Sequence, residues 1–213
     1  MAIALESNVL RIQLGALFLT SSTECNHWFI NVQIAEGSVR FHMMVDADQN
    51  GDTVYDVKQS PNAVTGRAIK LHDFQPIVQL KVGHIDQAIR ERNLHRYEFG
   101  PEGSGCQHWV YLVIACLEEK RWLPQGSKNR AWEAVQHCWS TRAGADGETE
   151  LVSKRIDVVY GSEYQEEDED DDDDGSGPAT APIVPPGAYL ASDRRLYPLP
   201  GFYLASDGNY YRR

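Results

Sequence analysis

A cysteine at the predicted start of an apolar helix is the residue best suited to do chemistry in this sequence. The segment Gly103-Ser104-Gly105 precedes Cys106, and a nearly continuous apolar run follows as far as Leu117. The first N–H groups of a helix have no intrahelical partners, and the helix dipole is positive at that end. Both effects favour a thiolate, so this position predicts a lowered pKa and a nucleophilic sulfur. The alternative is a buried structural cysteine, because free cysteine is among the most buried residue types.

A nucleophilic cysteine needs a base within hydrogen-bond reach. Of the seven histidines, His27 begins a predicted strand and His42 lies on the strand that follows it. A helix packed on that sheet could bring either imidazole to Cys106. His108 lies two residues after Cys106 and therefore points to another side of the helix. Side chains that could orient the imidazole come from the same part of the chain: Asn26, Asn31 and Asp46. The predicted catalytic residues are Cys106, His27 and His42.

A metal site is the weakest reading of the same residues. Cys25 and His27 are two apart on a predicted strand and share a face, and His42 could join them from the next strand. The four cysteines contain no C-x-x-C pair, and the ligands are scattered without the close spacing of a zinc motif. We assign neither a metal nor a cofactor.

Alternating and helical apolar patterns define the elements that would position these residues. Strands are predicted over 8–20, 27–34, 38–45, 53–59, 67–74, 96–99 and 151–159, and helices over 85–94, 106–120 and 129–139. The helix that begins at Cys106 is apolar nearly all round, which indicates a buried, central position. The pattern predicts an α+β domain in which an antiparallel sheet packs on that helix.

The chain divides by composition into a domain and a tail. Its 213 residues carry a net charge of −11, and nine acids in a row occupy 166–174. Such a block repels itself and stays solvated. We predict a globular domain over 1–164, a disordered acidic and Pro/Gly-rich linker over 165–186, and a disordered tail over 187–213.

The tail contains a short repeat. Gly187-Ala-Tyr-Leu-Ala-Ser-Asp193 recurs fourteen residues later as Gly201-Phe-Tyr-Leu-Ala-Ser-Asp207. Two copies cannot bury a core, so the repeat is not a solenoid. It is either a duplicated linear motif that docks into a partner protein or low-complexity drift.

Composition also excludes some classes of protein. No basic cluster of the kind that binds nucleic acid is present. No apolar run reaches the length of a membrane span. Residues 1–20 lack the basic, apolar and cleavage regions of a signal peptide, which predicts a cytoplasmic protein.

The order of the candidate residues resembles that of permuted papain-like proteins. His27-Trp28 opens a strand, a second strand follows, and Gly105-Cys106-x-x-Trp109 opens a helix after a long gap. The NlpC/P60, lecithin:retinol acyltransferase-like and PPPDE peptidase groups share this order. The resemblance implies a papain-like fold with Cys106 as nucleophile, His27 as base and His42 near the second histidine of the acyltransferase group. Gly105 departs from the asparagine usual before that cysteine.

A second resemblance spans about Leu10 to Tyr160. Asn26-His27-Trp28, Gly37-Ser38-Val39-Arg40, Tyr97 and the segment from Gly103 to Val110 are similar to a domain of unknown function widespread in filamentous fungi. Gln107 departs from the arginine usual there. The resemblance implies a fungal source and no activity.

Two functions follow as hypotheses. The first is a Cys-His thiol hydrolase or acyltransferase that acts on an amide or ester of a small molecule or peptide. The second is a non-catalytic interaction module that recruits a protein partner through its acidic, tyrosine-containing tail.

Overall fold

The structure is a computed structural model that describes residues 3–18, 26–45, 52–100, 105–143 and 148–162, and four short strands nearer the C-terminus. The contacts divide the chain into two units, Met1–Glu166 and Glu167–Arg213. The predicted linker over 165–186 lies outside the described residues.

A five-stranded antiparallel sheet forms the framework of the first unit. Its strands are β1 (Arg11–Leu17), β2 (Trp28–Ile34), β3 (Gly37–Val45), β4 (Thr53–Ser60) and β5 (Ala68–Phe74). The spatial order is β4-β3-β2-β1-β5, so β4 and β5 are the two edges. Each alternating apolar pattern in this part of the sequence corresponds to one strand, because one face of the sheet is covered by helices.

The other face of the sheet is also buried. Since β4 and β5 lie at opposite edges, the segment that connects them crosses this second face. Asn31 Nδ2 donates to the main-chain oxygen of Ala63 at 2.9 Å, and Ser38 Oγ donates to that of Asn62 at 2.8 Å. The crossing segment therefore covers polar side chains on the face opposite the helices.

The described ranges of the first unit also contain four helical segments. They are α1 (Val82–Glu91), a 3₁₀ turn (Leu94–Arg96), α2 (Cys106–Glu119) and α3 (Ser127–Val135). Trp109, Val113 and Leu117 of α2 are fully buried against the sheet. The predicted α+β class with a central buried helix is confirmed. None of the helices in the described ranges is long and apolar enough to cross a membrane.

Two element predictions are wrong. The helix predicted over 129–139 ends at Val135, and the chain then forms β6 (His137–Ala143), which pairs with β7 (Thr149–Arg155). Trp139 has helical spacing from Val135, but its main-chain N–H donates to Asn26 Oδ1 at 2.5 Å, a contact from a distant part of the chain. The strand predicted over 96–99 is the end of the 3₁₀ turn followed by an isolated β-bridge between Glu98 and Ser162.

The described residues of the second unit form two short antiparallel strand pairs, each of which we call a hairpin. β8 (Ala188–Leu190) pairs with β9 (Leu196–Pro198), and β10 (Phe202–Leu204) pairs with β11 (Tyr210–Arg212). Each copy of the repeat supplies the first strand of one hairpin, and Tyr189 and Tyr203 occupy the same register position in the two copies. The disorder expected for this tail stays a prediction.

Candidate functional site

Cys106 is the first residue of α2, and its sulfur lies against the main chain of β2 and the residues that precede it. Sγ lies 3.9 Å from the main-chain oxygen of Asn26, and the main-chain N–H of Trp28 also faces the sulfur. Gly105 before it has φ +142° and lies close to Phe99, a conformation and a packing that disfavour a side chain. The thiol therefore contacts the chain on both sides of His27.

The sheet leaves room for the sulfur at this point. β3 pairs with β2 from Ile34↔Gly37 only as far as Ile30↔Phe41, whereas its pairing with β4 continues to Val45↔Thr53. The start of β2 consequently has an open edge on the β3 side. The beginning of α2 occupies that edge, which explains why a thiol rather than another strand meets Trp28 N–H.

His27 and His42, which the sequence predicts as partners of Cys106, lie together in the structure. His27 Nε2 is 3.2 Å from His42 Nδ1, and His42 Nε2 is 3.0 Å from Asp56 Oδ2. Lys58 Nζ lies 2.6 Å from the same carboxylate oxygen. Two imidazoles and one carboxylate thus form a continuous hydrogen-bonded chain that runs from the residue before β2 across β3 to β4.

The charge states in this chain follow from burial. Burial, together with the charges of His42 and Arg40, lowers the pKa of His27 to about 4. Burial and the charge of Arg40 lower the pKa of His42 to about 4 in spite of Asp56. Partial burial opposes ionisation of Asp56, but hydrogen bonds from Lys58 and His42 lower the pKa of its carboxyl overall. At neutral pH the chain therefore contains two neutral imidazoles and a carboxylate.

The carboxylate determines which nitrogen carries each proton. An ionised carboxylate only accepts, so His42 Nε2 carries a proton and donates it to Asp56. Neutral His42 then has a lone pair on Nδ1, which accepts from His27 Nε2–H. His27 Nδ1 is consequently the ring nitrogen with a lone pair, as a general base requires.

The lowered pKa that the sequence predicts for Cys106 is wrong. Burial raises the pKa of this thiol, and the main-chain N–H groups of Trp28, Gln107 and Cys106 offset only part of the effect. The helix start supplies N–H groups as expected, but removal of the sulfur from water outweighs them. The resting group at neutral pH is a protonated thiol.

The histidines and the helix lie on opposite faces of the sheet. Trp28, Phe41 and Tyr55 belong to the helix-covered side, where Tyr55 packs on Phe41 and Trp109. Strand alternation therefore directs His27, His42 and Asp56 to the other side. Among the described residues, no hydrogen bond joins the Cys106 sulfur to the ring of His27 or His42, so the structure brings the two histidines together without either imidazole bonding the thiol.

The three side chains predicted to orient the imidazole have other positions or partners. Asn26 Nδ2 donates to the main-chain oxygens of Leu17 and Trp139. Asn31 Nδ2 donates to Gln13 Oε1 at 2.9 Å, and Asp46 lies outside the described residues. Asp56 has the orienting role for His42, and sequence reasoning missed it. The sequence could have indicated Asp56, because the strand after β3 is antiparallel to it. Alternate residues of such a strand lie on the same face of the sheet as His42.

Metal binding has no support from the described residues. No group of three or more His, Cys, Asp or Glu side chains within the described ranges could hold a metal ion. Cys25, the third ligand considered, lies outside those ranges.

The fold and the site define an α+β domain with a thiol at the start of a helix, packed on the main chain that flanks the first residue of a histidine–histidine–carboxylate chain. The chain belongs to the family described as a domain of unknown function, DUF7770, whose profile matches residues 15–159. The matched range contains Cys106, both histidines and Asp56. Comparisons with curated proteins and with solved structures gave no match.

Proposed function

We propose that this protein is a thiol-dependent hydrolase or acyltransferase that acts on an ester or amide. The observation that supports it best is the position of the Cys106 sulfur, which contacts the main chain on both sides of a histidine held in a chain ending at a carboxylate. A cysteine at a helix start against a histidine-bearing strand is also the arrangement that the papain-like resemblance implies.

The proposed reaction begins with general-base catalysis. His27 Nδ1 takes the thiol proton as the sulfur attacks the substrate carbonyl carbon, and the C=O π electrons move to the oxygen. The main-chain N–H groups of Cys106 and Gln107, which already face the sulfur, stabilise that oxyanion. The carbonyl reforms as the leaving alcohol or amine departs with the proton from His27, and a thioester remains on Cys106.

In the second half of the reaction, which releases the acyl group from Cys106, His27 again acts as the base. Water, or an acceptor alcohol or amine, gives a proton to His27 and attacks the thioester carbonyl. The C–S bond then breaks, and the sulfur recovers the proton. His42 and Asp56 keep His27 in the tautomer that accepts at Nδ1, so they act as positioning residues.

Acyl-enzyme formation tests this proposal. Incubation of the full chain with p-nitrophenyl acetate and p-nitrophenyl butyrate should add one acyl group to Cys106, located by mass spectrometry of native protein. Cys106→Ala should abolish both the adduct and the catalysed release of nitrophenol. Cys138, a half-buried free cysteine, provides the matched control, since Cys138→Ala should retain the adduct.

The contrary result is equally specific. An intact fold by circular dichroism with no acylation of Cys106, or acylation spread equally over Cys138, would contradict an enzyme of this class. That outcome would favour the non-catalytic interaction module.

A further inference from the structure

Three aromatic rings form a cluster on the helix-covered side of the sheet, next to the residues that contact Cys106. Trp28 stacks on His72 with ring centroids 6.2 Å apart, and His72 packs on Trp139 with centroids 6.2 Å apart. The rings come from β2, β5 and β6. Asn26 joins β6 to the start of β2 through its two side-chain hydrogen bonds with the main chain of Trp139.

Each ring of this cluster has a buried nitrogen without a hydrogen-bond partner among the described residues. The atoms are Trp28 Nε1, His72 Nε2 and Trp139 Nε1. Buried indole N–H groups ordinarily find an acceptor, as Trp109 Nε1 does by donating to Leu94 O at 2.8 Å. Trp28 is completely buried, so bulk water does not satisfy its N–H. Three neighbouring orphaned nitrogens indicate an occupant that accepts hydrogen bonds.

The charges around the cluster are mainly positive. Lys70 Nζ lies 4.7 Å from the centre of the Trp139 ring. Burial, then the charges of Lys70 and Arg130, lower the pKa of His72 to about 4. The nearby carboxylate of Asp73 accepts from Arg11 Nη1 and Gln13 Nε2 instead. Among the described residues no ion pair joins Lys70 to a carboxylate, so the cluster borders a cation without an anionic partner there.

We propose that the Trp28–His72–Trp139 cluster is a binding site for a small organic carboxylate. The two indole N–H groups and the Nε2–H tautomer of His72 donate to the carboxylate, the Lys70 ammonium provides the counter-charge, and the rings contact an apolar body. This assignment is independent of Cys106 chemistry.

Titration of the ¹⁵N-labelled full chain with sodium benzoate tests the site directly. The chain has five tryptophans, and each indole N–H gives its own NMR signal, assigned with Trp→Phe variants. The Trp28 and Trp139 signals should shift and saturate, and the Trp109 signal should not move. Cys106→Ser should leave the dissociation constant unchanged, which separates this proposal from the proposed enzyme activity.

Matched variants make the test specific. Lys70→Gln should weaken benzoate binding by about tenfold, the usual effect of removing a charged donor. Lys120→Gln is the control, because Lys120 Nζ lies over the Trp122 ring at 5.4 Å in another part of the protein. An equal effect of both variants would overturn the assignment.

Control ligands test whether the site requires a carboxylate. Benzyl alcohol and benzylamine present the same ring without a carboxylate and should not saturate the two signals. If benzyl alcohol binds as well as benzoate, or if inorganic phosphate does, the carboxylate assignment is wrong. An absence of any shift with benzoate would also overturn it.

Discussion

At Asp56 a single carboxylate determines the direction of two hydrogen bonds further along the site. Because it only accepts, it directs the His42 proton to Nε2 and leaves His42 Nδ1 to accept from His27. Burial keeps both imidazoles neutral. These hydrogen bonds therefore leave a lone pair on His27 Nδ1 without any ionised histidine, which is the state that the proposed general base requires.

Asp56→Asn tests this direction of the hydrogen bonds. A neutral amide can donate as well as accept, so His42 should populate both neutral tautomers. His27, whose tautomer depends on the lone pair of His42 Nδ1, should then populate both as well. We expect kcat for ester hydrolysis to fall by about 10- to 100-fold with little change in KM, since a positioning contact and not substrate binding is lost. Steady-state kinetics and the ¹⁵N shifts of the imidazoles measure the two effects.

The control for that variant is Lys58→Gln. It removes the half-exposed ion pair with Asp56 and leaves the His42 hydrogen bond in place. Because such pairs contribute little, kcat should change less than about twofold. A wild-type protein with the proton on His27 Nδ1 would contradict the assignment.

At the scale of elements, one tyrosine connects three segments around the start of α2. Tyr97 OH accepts from the main-chain N–H of Gly161 at 2.6 Å and shares a hydrogen bond with His108 Nδ1 at 2.9 Å. A side chain at Gly161 would collide with the main chain of Glu98, so the two strand-like segments approach closely there. The hydroxyl thereby couples the segment before α2, the helix itself and the segment after β7.

Tyr97→Phe should therefore destabilise the protein by about 1–3 kcal/mol, because it leaves two half-buried polar groups without this partner. Tyr160→Phe removes the same hydroxyl from a ring that is 41% exposed and should change the free energy of unfolding by less than about 0.5 kcal/mol. Urea unfolding followed by fluorescence measures both. Equal stabilities for the two variants would contradict the role assigned to Tyr97.

At the scale of the whole molecule, buried histidines make stability depend on pH. The pKa values of His27, His42, His72 and His108 are all lowered to about 4, with burial as the first cause. The unfolded chain takes up these protons near pH 6.5, whereas the folded protein does so only near pH 4. The stabilisation is fully present above pH 6.5 and is lost as the pH falls from 6.5 towards 4.

We expect the free energy of unfolding to decrease between pH 7 and pH 5, with His108 alone contributing at most about 3 kcal/mol over the full window. His108→Gln should reduce the slope, whereas His84→Gln, at an exposed position, should leave it unchanged. Urea titrations at pH 7, 6 and 5 provide the measurement. A free energy of unfolding that is constant over this range would contradict neutral buried histidines.

Local patterns were sufficient to predict most of the fold. β1 to β5 and α2 appear where apolar periodicity places them, because each element buries one stripe or face and the sequence period records which residues face inward. The proximity of His27 and His42 follows in the same way, since a short hairpin brings its two strands side by side. The predicted helical position of Trp139 is wrong because its main chain exchanges two hydrogen bonds with the side chain of Asn26, which is distant in sequence, and these hold Trp139 in β6.

The amino-acid sequence by itself determined the α+β class, the helix that begins at Cys106 and the hairpin that carries both histidines. Only the tertiary structure decided that Asp56 orients His42, that β3 leaves β2 and opens an edge for the sulfur, and that the Cys106 thiol stays protonated. The physical reason is the distance along the sequence over which each feature is determined. The periods of strands and helices are set by neighbours a few residues apart. Burial, open strand edges and hydrogen-bond partners depend on segments that meet only after the chain has folded.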